Sequence, residues 1–252
     1  MEPLKKHMRD SRAYHKMKDL VGKYAGNISV LEEEIDIELQ MQYFKESKQC
    51  KREINRTEVL DNKDVLFDEK LSYEAKRTLL CQLASIDDVS AYRSIEKYAL
   101  KPDSSLEEWS KLAFQESKML LQSTFLDKAP LFISTGLGGK GTNLRYFIVV
   151  SSVDYKPFTE VQKGVVQSEF EFGFKKAKAE IEEIQHCSFF TTITGLIPIE
   201  TGLKDLFRGI IMSCNELGGF LNTSFLVTNV KKLSHDEIEK SIEKERLSKL
   251  PK

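Results

Sequence analysis

From Leu144 to Val153 the chain reads LRYFIVVSSV, directly after the glycine-rich stretch STGLGGKGTN. Residues branched at Cβ and flat aromatic rings suit a pleated, half-buried surface, so a strand is expected here. That strand limits what the glycines before it can be. The stretch superficially matches the phosphate-binding pattern GxxxxGK[ST], but Ser134 stands where the first glycine belongs and Gly141 follows Lys140. A phosphate loop also opens a helix, whose first amides face the phosphate. The dinucleotide pattern GxGxxG at Gly136, Gly138 and Gly141 fails for the same lack of a following helix. A mobile loop between two antiparallel strands suits the residues better, because glycine accepts positive φ. Four glycines exceed what a minimal turn needs. An alternative therefore stands, in which the loop meets an anion through Gly136, Gly138, Gly139, Lys140, Gly141 and Thr142, with Arg145 beside them.

The rest of the C-terminal half alternates between periods. PLFIST, opened by Pro130, is a short β-prone run. TEVQKGVVQSEFEFGFKKAKAEIEEIQ reads as one long helix with Thr159 as N-cap and Val166, Phe170, Ala177, Ile181 and Ile184 at helical spacing. At about 1.5 Å per residue it would span about 39 Å. CSFFTTITGLIPI is a strand, and GLKDLFRGIIMSCNEL a helix stopped by Gly218-Gly219. FLNTSFLVTNV is the last strand, and Ser234 with Glu237 begins a charged helix at capping-box spacing. The order is ββαβαβα. It predicts an α+β or α/β domain with a mixed sheet, an antiparallel hairpin at its start and right-handed crossovers. A ferredoxin-like arrangement is the competitor, since strands separated by helices can also pair antiparallel. Phe170, Phe172 and Phe174 alternate and cannot share one narrow helical face, so part of this helix is expected to be covered by another element or by a second protein.

The N-terminal half is helical. Residues 1–30 form a basic arm with seven basic residues against three acidic, and residues 31–70 reverse the sign with twelve acidic against seven basic. Leu31, Ile35, Leu39 and Tyr43 recur every four residues, the face of one helix. In 71–126 three helices follow in short succession. The first carries Ala75, Leu79, Leu80, Leu83 and Ile86. The second is capped at Asp87 or Asp88 and carries Val89, Tyr92, Ile95 and Tyr98. The third follows Pro102, with Ser105 and Glu108 at capping-box spacing, and turns Leu106, Trp109, Leu112, Ala113, Leu120 and Leu121 inward. Such short turns force antiparallel neighbours. The Asp-Asp turn, the small-residue helix SAYRSIEKYAL and the paired layout resemble a HEAT- or armadillo-type helical repeat over 71–126. That resemblance implies protein binding. There are too few copies for a solenoid, which needs about three repeats.

Three segments result: the arm 1–30, a helical (HEAT-like) region 31–127, and an α/β domain 128–252. A net charge of -1 argues against a general nucleic-acid or membrane-surface binder. Arg145, Tyr146 and Phe147 juxtapose basic and aromatic groups, but give no clear stacking platform for RNA. The first twenty residues lack the apolar core of a secretory signal, and no apolar run reaches the length of a membrane span. Cys50, Cys81, Cys187 and Cys214 are far apart and form no metal-ligand spacing with His7, His15, His186 and His235, so reduced thiols in a cytoplasmic protein are expected. His186-Cys187, adjacent at a strand entrance, point to opposite faces and are poorly placed to share a proton. Asp154, Glu160, Glu169 and Glu171 read as a solvated face. The leading functional reading is a non-enzymatic cytoplasmic interaction or scaffold protein that uses Trp109, Phe170, Phe172 and Phe174. It binds another protein or itself, with no cofactor and no metal. The alternative is an enzyme or sensor that takes a small anionic ligand at residues 136–142.

Overall fold

The computed structural model describes residues 28–52, 54–126 and 131–249. All of the basic arm but its last three residues lies outside these, as does Pro130. The chain divides into a helical unit of residues 28–31 and 35–133, and a sheet unit of residues 32–34 and 134–249.

The helical unit begins with β1 (Ile28–Val30) and contains α1 (Ile37–Cys50), α2 (Arg56–Asp61), α3 (Tyr73–Ala84), α4 (Val89–Leu100), α5 (Glu107–Leu126) and β2 (Leu131–Ile133). Side-chain oxygens start four of these helices. Asp36, Asn55, Ser72 and Asp88 each accept from amides that a first helical turn leaves without partners. Asp36 therefore sets the start of α1, and Leu31 lies before the helix rather than on its face. Its amide instead donates to Ile133 O at 2.9 Å. Leu31, Ile35 and Tyr43 are still buried in one core with Leu80, Leu83, Ile95, Leu106, Trp109 and Leu112. Two local expectations fail. Val89 is 53% exposed at the first turn of α4. The expected Ser105–Glu108 box is replaced by a 3₁₀ turn over Ser104–Leu106 with no side-chain cap.

β2 corrects the expected hairpin. It pairs in parallel with β1, from Ile28 opposite Leu131 to Val30 opposite Ile133, so PLFIST closes the helical unit instead of opening the sheet. The division accordingly falls at 133/134 rather than 127/128.

The sheet unit contains β3 (Gly139–Lys140), β4 (Asn143–Ser152), α6 (Glu160–Lys176), β5 (Glu180–His186), β6 (Phe190–Pro198), α7 (Leu203–Glu216), β7 (Leu221–Thr228) and α8 (His235–Lys249). Every strand pair in it is antiparallel. The long strands lie in the order β7-β4-β6-β5, with β3 sharing the edge of β4 that β7 uses. From β4 to β7 the succession is βαββαβ with each helix-linked strand pair split by a third strand. This is the ferredoxin-like arrangement, and it replaces the expected mixed sheet.

The change traces to one error of period. The helix expected over 159–185 ends at Lys176, and the chain turns through Lys178 at φ 56°. Residues 180–186 then form β5, a strand missing from the expected order. Ile181 and Ile184 are three apart, which would place them on opposite faces of a plain strand. A bulge between Ile181 and Glu183 adds one residue against β6 and returns both isoleucines to the helix side.

The helices α6 and α7 cover one face of the sheet. Val166, Phe170, Phe174, Phe207, Ile210 and Ile211 pack on Ile148, Val150, Ile193 and Ile197. On the other face Ile238 of α8 joins Leu137, Phe147, Val149 and Phe190. Ser234 and Glu237 begin α8 with reciprocal capping bonds of 3.3 and 3.0 Å. None of the described helices is long and apolar enough to cross a membrane.

Two glycines separate packing from propensity. A Cβ on Gly195 would stand 2.5 Å from the Phe174 ring and 2.8 Å from Glu180 O, whereas one on Gly164 meets nothing within 4 Å. Gly195→Ala is expected to destabilise the protein by about 1–3 kcal/mol. Gly164→Ala, in α6, should stabilise it by about 0.5–1 kcal/mol. Urea unfolding of the two variants checks both signs.

Candidate functional site

The glycine loop turns its backbone inward. Gly138 and Gly141 take φ 69° and 62°, the left-handed region glycine favours. A Cβ on Gly138 would lie 2.5 Å from the carbonyl oxygens of both Glu32 and Glu33. The acidic segment 32–34 thus lies directly on the loop, and only glycine allows this approach. The amides of Leu137, Gly138 and Gly139 donate to Asn229 O, Thr135 O and Glu32 O at 3.0, 3.2 and 3.4 Å. The Gly141 amide donates to Glu32 Oε1 at 3.3 Å. One amide of the expected anion site, that of Gly141, thus already faces a carboxylate of the chain itself. The antiparallel hairpin exists, but it is confined to the loop's end, where Gly139–Lys140 pairs with Asn143–Leu144.

Arg145 also faces inward. Its Nη1 donates to Leu137 O at 2.7 Å, and its Nε and Nη2 form a fork on Glu182. That fork holds the Glu182 carboxyl below its usual range. Glu182 is the bulged residue of β5, so the bulge both realigns the isoleucines and aims this carboxylate at the loop. Of the expected anion-site residues, Gly136, Gly138 and Gly139 are buried, while Lys140, Gly141 and Thr142 are exposed. Tyr146 packs against the helix-side core and Phe147 is buried on the opposite face, so Arg145, Tyr146 and Phe147 share no platform.

The expected interaction residues separate in the same way. Trp109 is buried in the helical unit, edge-on to Tyr43 at 5.0 Å, with the Arg77 guanidinium 3.8 Å from its ring centre. Phe170 and Phe174, one helical turn apart, are both buried under α6. These three belong to cores and are not surface groups. Phe172 alone is on the surface, 66% exposed. It stands at a cleft of about 340 Å³ between α6 and α7, lined also by Glu169, Lys176, Leu206, Gly209 and Ile210. A Cβ on Gly173 would fall 2.4 Å from Ile210, so the helices meet closely there. A Cβ on Gly209 would meet nothing within 4 Å, so the cleft opens above it. Val161 and Met212, on the same two helices, are 77% and 65% exposed.

A polar cluster in the helical unit escaped the sequence reading. Tyr43, Ser47 and Lys51 form one stripe of α1 and its C-terminus. All three converge on Glu116 of α5 at 2.6–2.9 Å. Burial and the Glu116 charge push the Tyr43 phenol well above its usual value, which keeps it a donor. The spacing of four was visible in the sequence, but the carboxylate it serves is 73 positions from Tyr43. With both its oxygens engaged, Glu116 ties α1 to α5. Asp154 and Glu160 pair with Lys156 and Lys163, and Glu171 accepts from Gln167. Among the described residues no group of three His, Cys, Asp or Glu side chains is placed to hold a metal ion.

No family model matches the sequence, and no curated protein matches it. Among solved structures, that of a putative transposase from Deinococcus radiodurans R1 aligns with 42% of this chain and 93% of its own at 15% identity, with a TM-score of 0.37. A likeness at that level carries neither fold nor activity across.

Arg145 supports a direct test of the loop. Arg145→Ala is expected to cost about 1.5–3 kcal/mol at neutral pH and to speed hydrogen exchange at the Gly139 and Gly141 amides. Because the folded Glu182 value is depressed, its contribution is full above the unfolded value of about 4.3. It is lost as pH falls through the lower folded value, so the variant's deficit should shrink in acid. Denaturation at pH 7 and pH 3 with amide-exchange mass spectrometry checks both parts.

Proposed function

We propose that this chain is a protein-interaction module whose contact surface is the outer face of α6 and α7. The carrying observation is Phe172, which is exposed beside a cleft that opens over Gly209 while its neighbours Phe170 and Phe174 fill the core. An exposed aromatic beside an open apolar cleft has the form of an interface anchor and its receptor. Burying a side chain of this size contributes about 1.5–3 kcal/mol, or about 10- to 150-fold in affinity. Glu169, Asp205 and Lys176 at the rim would orient a partner that brings an apolar side chain flanked by charges. The helical unit, with its HEAT-type resemblance over residues 71–126, favours the same class of function by analogy alone. An anionic ligand at the glycine loop is less favoured, because the loop amides at 137, 138, 139 and 141 already donate within the chain.

A photo-crosslinking residue at position 172 should form a covalent adduct with a partner or a second copy, and one at Lys244 of α8 should not. Gly209→Met, whose Cβ would meet nothing within 4 Å and whose side chain would occupy the cleft, should reduce that adduct about 10-fold or more. Its thermal unfolding should stay close to wild type. Equal adduct at positions 172 and 244, or an adduct insensitive to Gly209→Met, would sink the reading.

A further inference from the structure

The cleft over Gly209 lies in a groove between two antiparallel helices. β4 and β6 run antiparallel, and α6 and α7 return from them over the same face of the sheet, so the helices oppose each other in direction. Their relative level is set where Gly173 meets Ile210. Phe172 and Gly209, the residues just before these two, therefore lie within one helical turn of each other, near the middle of the groove. Toward one end its walls carry Lys176 and Asp205, and toward the other Glu169 and Ser213.

What the groove lacks, the same face supplies. The groove is open over Gly209 for one apolar side chain and carries charge at its rim. Phe172 is itself an exposed apolar side chain, with Glu171 before it and Lys175 and Lys176 after it. Lys176 and Asp205 are exposed and form no ion pair among the described residues, so both charges are open to a second molecule. Val161, Met212 and Leu217 continue the apolar exposure along the two helices and the cap of α7. The face is complementary to itself in shape and in charge.

We infer that the occupant of this groove is a second copy of the chain, docked about a two-fold axis parallel to α6 and α7; the inference rests on the contact face proposed above. Such an axis lays α6 of each copy on α7 of the other. Phe172 of each copy enters the other's cleft over Gly209, and Lys176 of each faces Asp205 of the other. Every favourable contact is thus made twice. An axis across the helices would instead set Phe172 against Phe172 and leave both clefts empty, so the parallel axis is the one the face selects.

Sedimentation equilibrium of the intact chain reads the dimer directly, and the wild type should show a reversible monomer–dimer equilibrium. Phe172→Ala, at an exposed position, should raise the dissociation constant about 100-fold or more, because both copies lose the anchor. Lys176→Glu or Asp205→Lys alone should weaken the dimer about 10-fold, since each sets like charges together twice. Mixed in equal amounts, these two single variants should associate again to within about 3-fold of wild type, because both facing pairs are then opposite in sign. A loosened fold within one chain would not be restored by mixing. A chain that stays monomeric at every concentration, a dimer that Phe172→Ala leaves unchanged, or charge variants that stay apart when mixed would overturn the inference. If the crosslinker at position 172 then captures a different protein, the contact face stands without self-pairing; if it captures nothing, the face falls as well.

Discussion

The sheet unit depends on β4 being hydrogen-bonded along both edges. One edge carries β6 from Asn143 to Ser151, and the other is divided between β3 at Asn143–Leu144 and β7 at Phe147–Ser152. A buried strand cannot leave its amides and carbonyls without partners, so the placement of the neighbouring strands follows from this one. β5 cannot reach β4 and must pair outside β6, although α6 leads straight to it from β4. The split order and the all-antiparallel pairing are consequences of that occupancy.

β4 also brings the acidic segment and the glycine loop together. Leu144 starts at the hairpin, and Arg145 reaches back to Leu137 O and across to Glu182. The loop therefore has a fixed floor, and residues 32–34 lie on it through Gly138. These contacts join three stretches distant in sequence: 32–34, 137–145 and 182. Each is modest alone. Together they leave the loop's amides committed to the chain, and the glycines serve close backbone approach.

Much of the architecture was readable in the sequence because its signals were local. The three helices of residues 71–126, the strand after the glycines, the Gly218-Gly219 stop and the Ser234–Glu237 box each rest on neighbours within a few positions. The failures have the opposite character. Ile181 and Ile184 imitate helical spacing because a bulge, invisible without its partner strand, restores their common face. PLFIST looked like the first strand of the sheet, but its partner is Ile28–Val30, a hundred residues earlier. Trp109 is large and aromatic, as interface anchors are, yet its ring is closed in by Tyr43 and Arg77, neither of which is close in sequence. For the candidate site, periodicity separated the phenylalanines of α6 into two faces without saying which face the sheet would take.

The glycines fall into two kinds by what a side chain on them would meet. Gly138 and Gly195 each have backbone atoms pressed against the hydrogen that a methyl group would replace, and folding alone accounts for them. Gly209 differs. It lies in the middle of α7, in open space, where glycine costs about 1 kcal/mol relative to alanine. Nothing in the packing of the described residues requires it to lack a side chain. Gly164 in α6 is equally free of contacts, but Gly209 in addition lines the cleft beside Phe172.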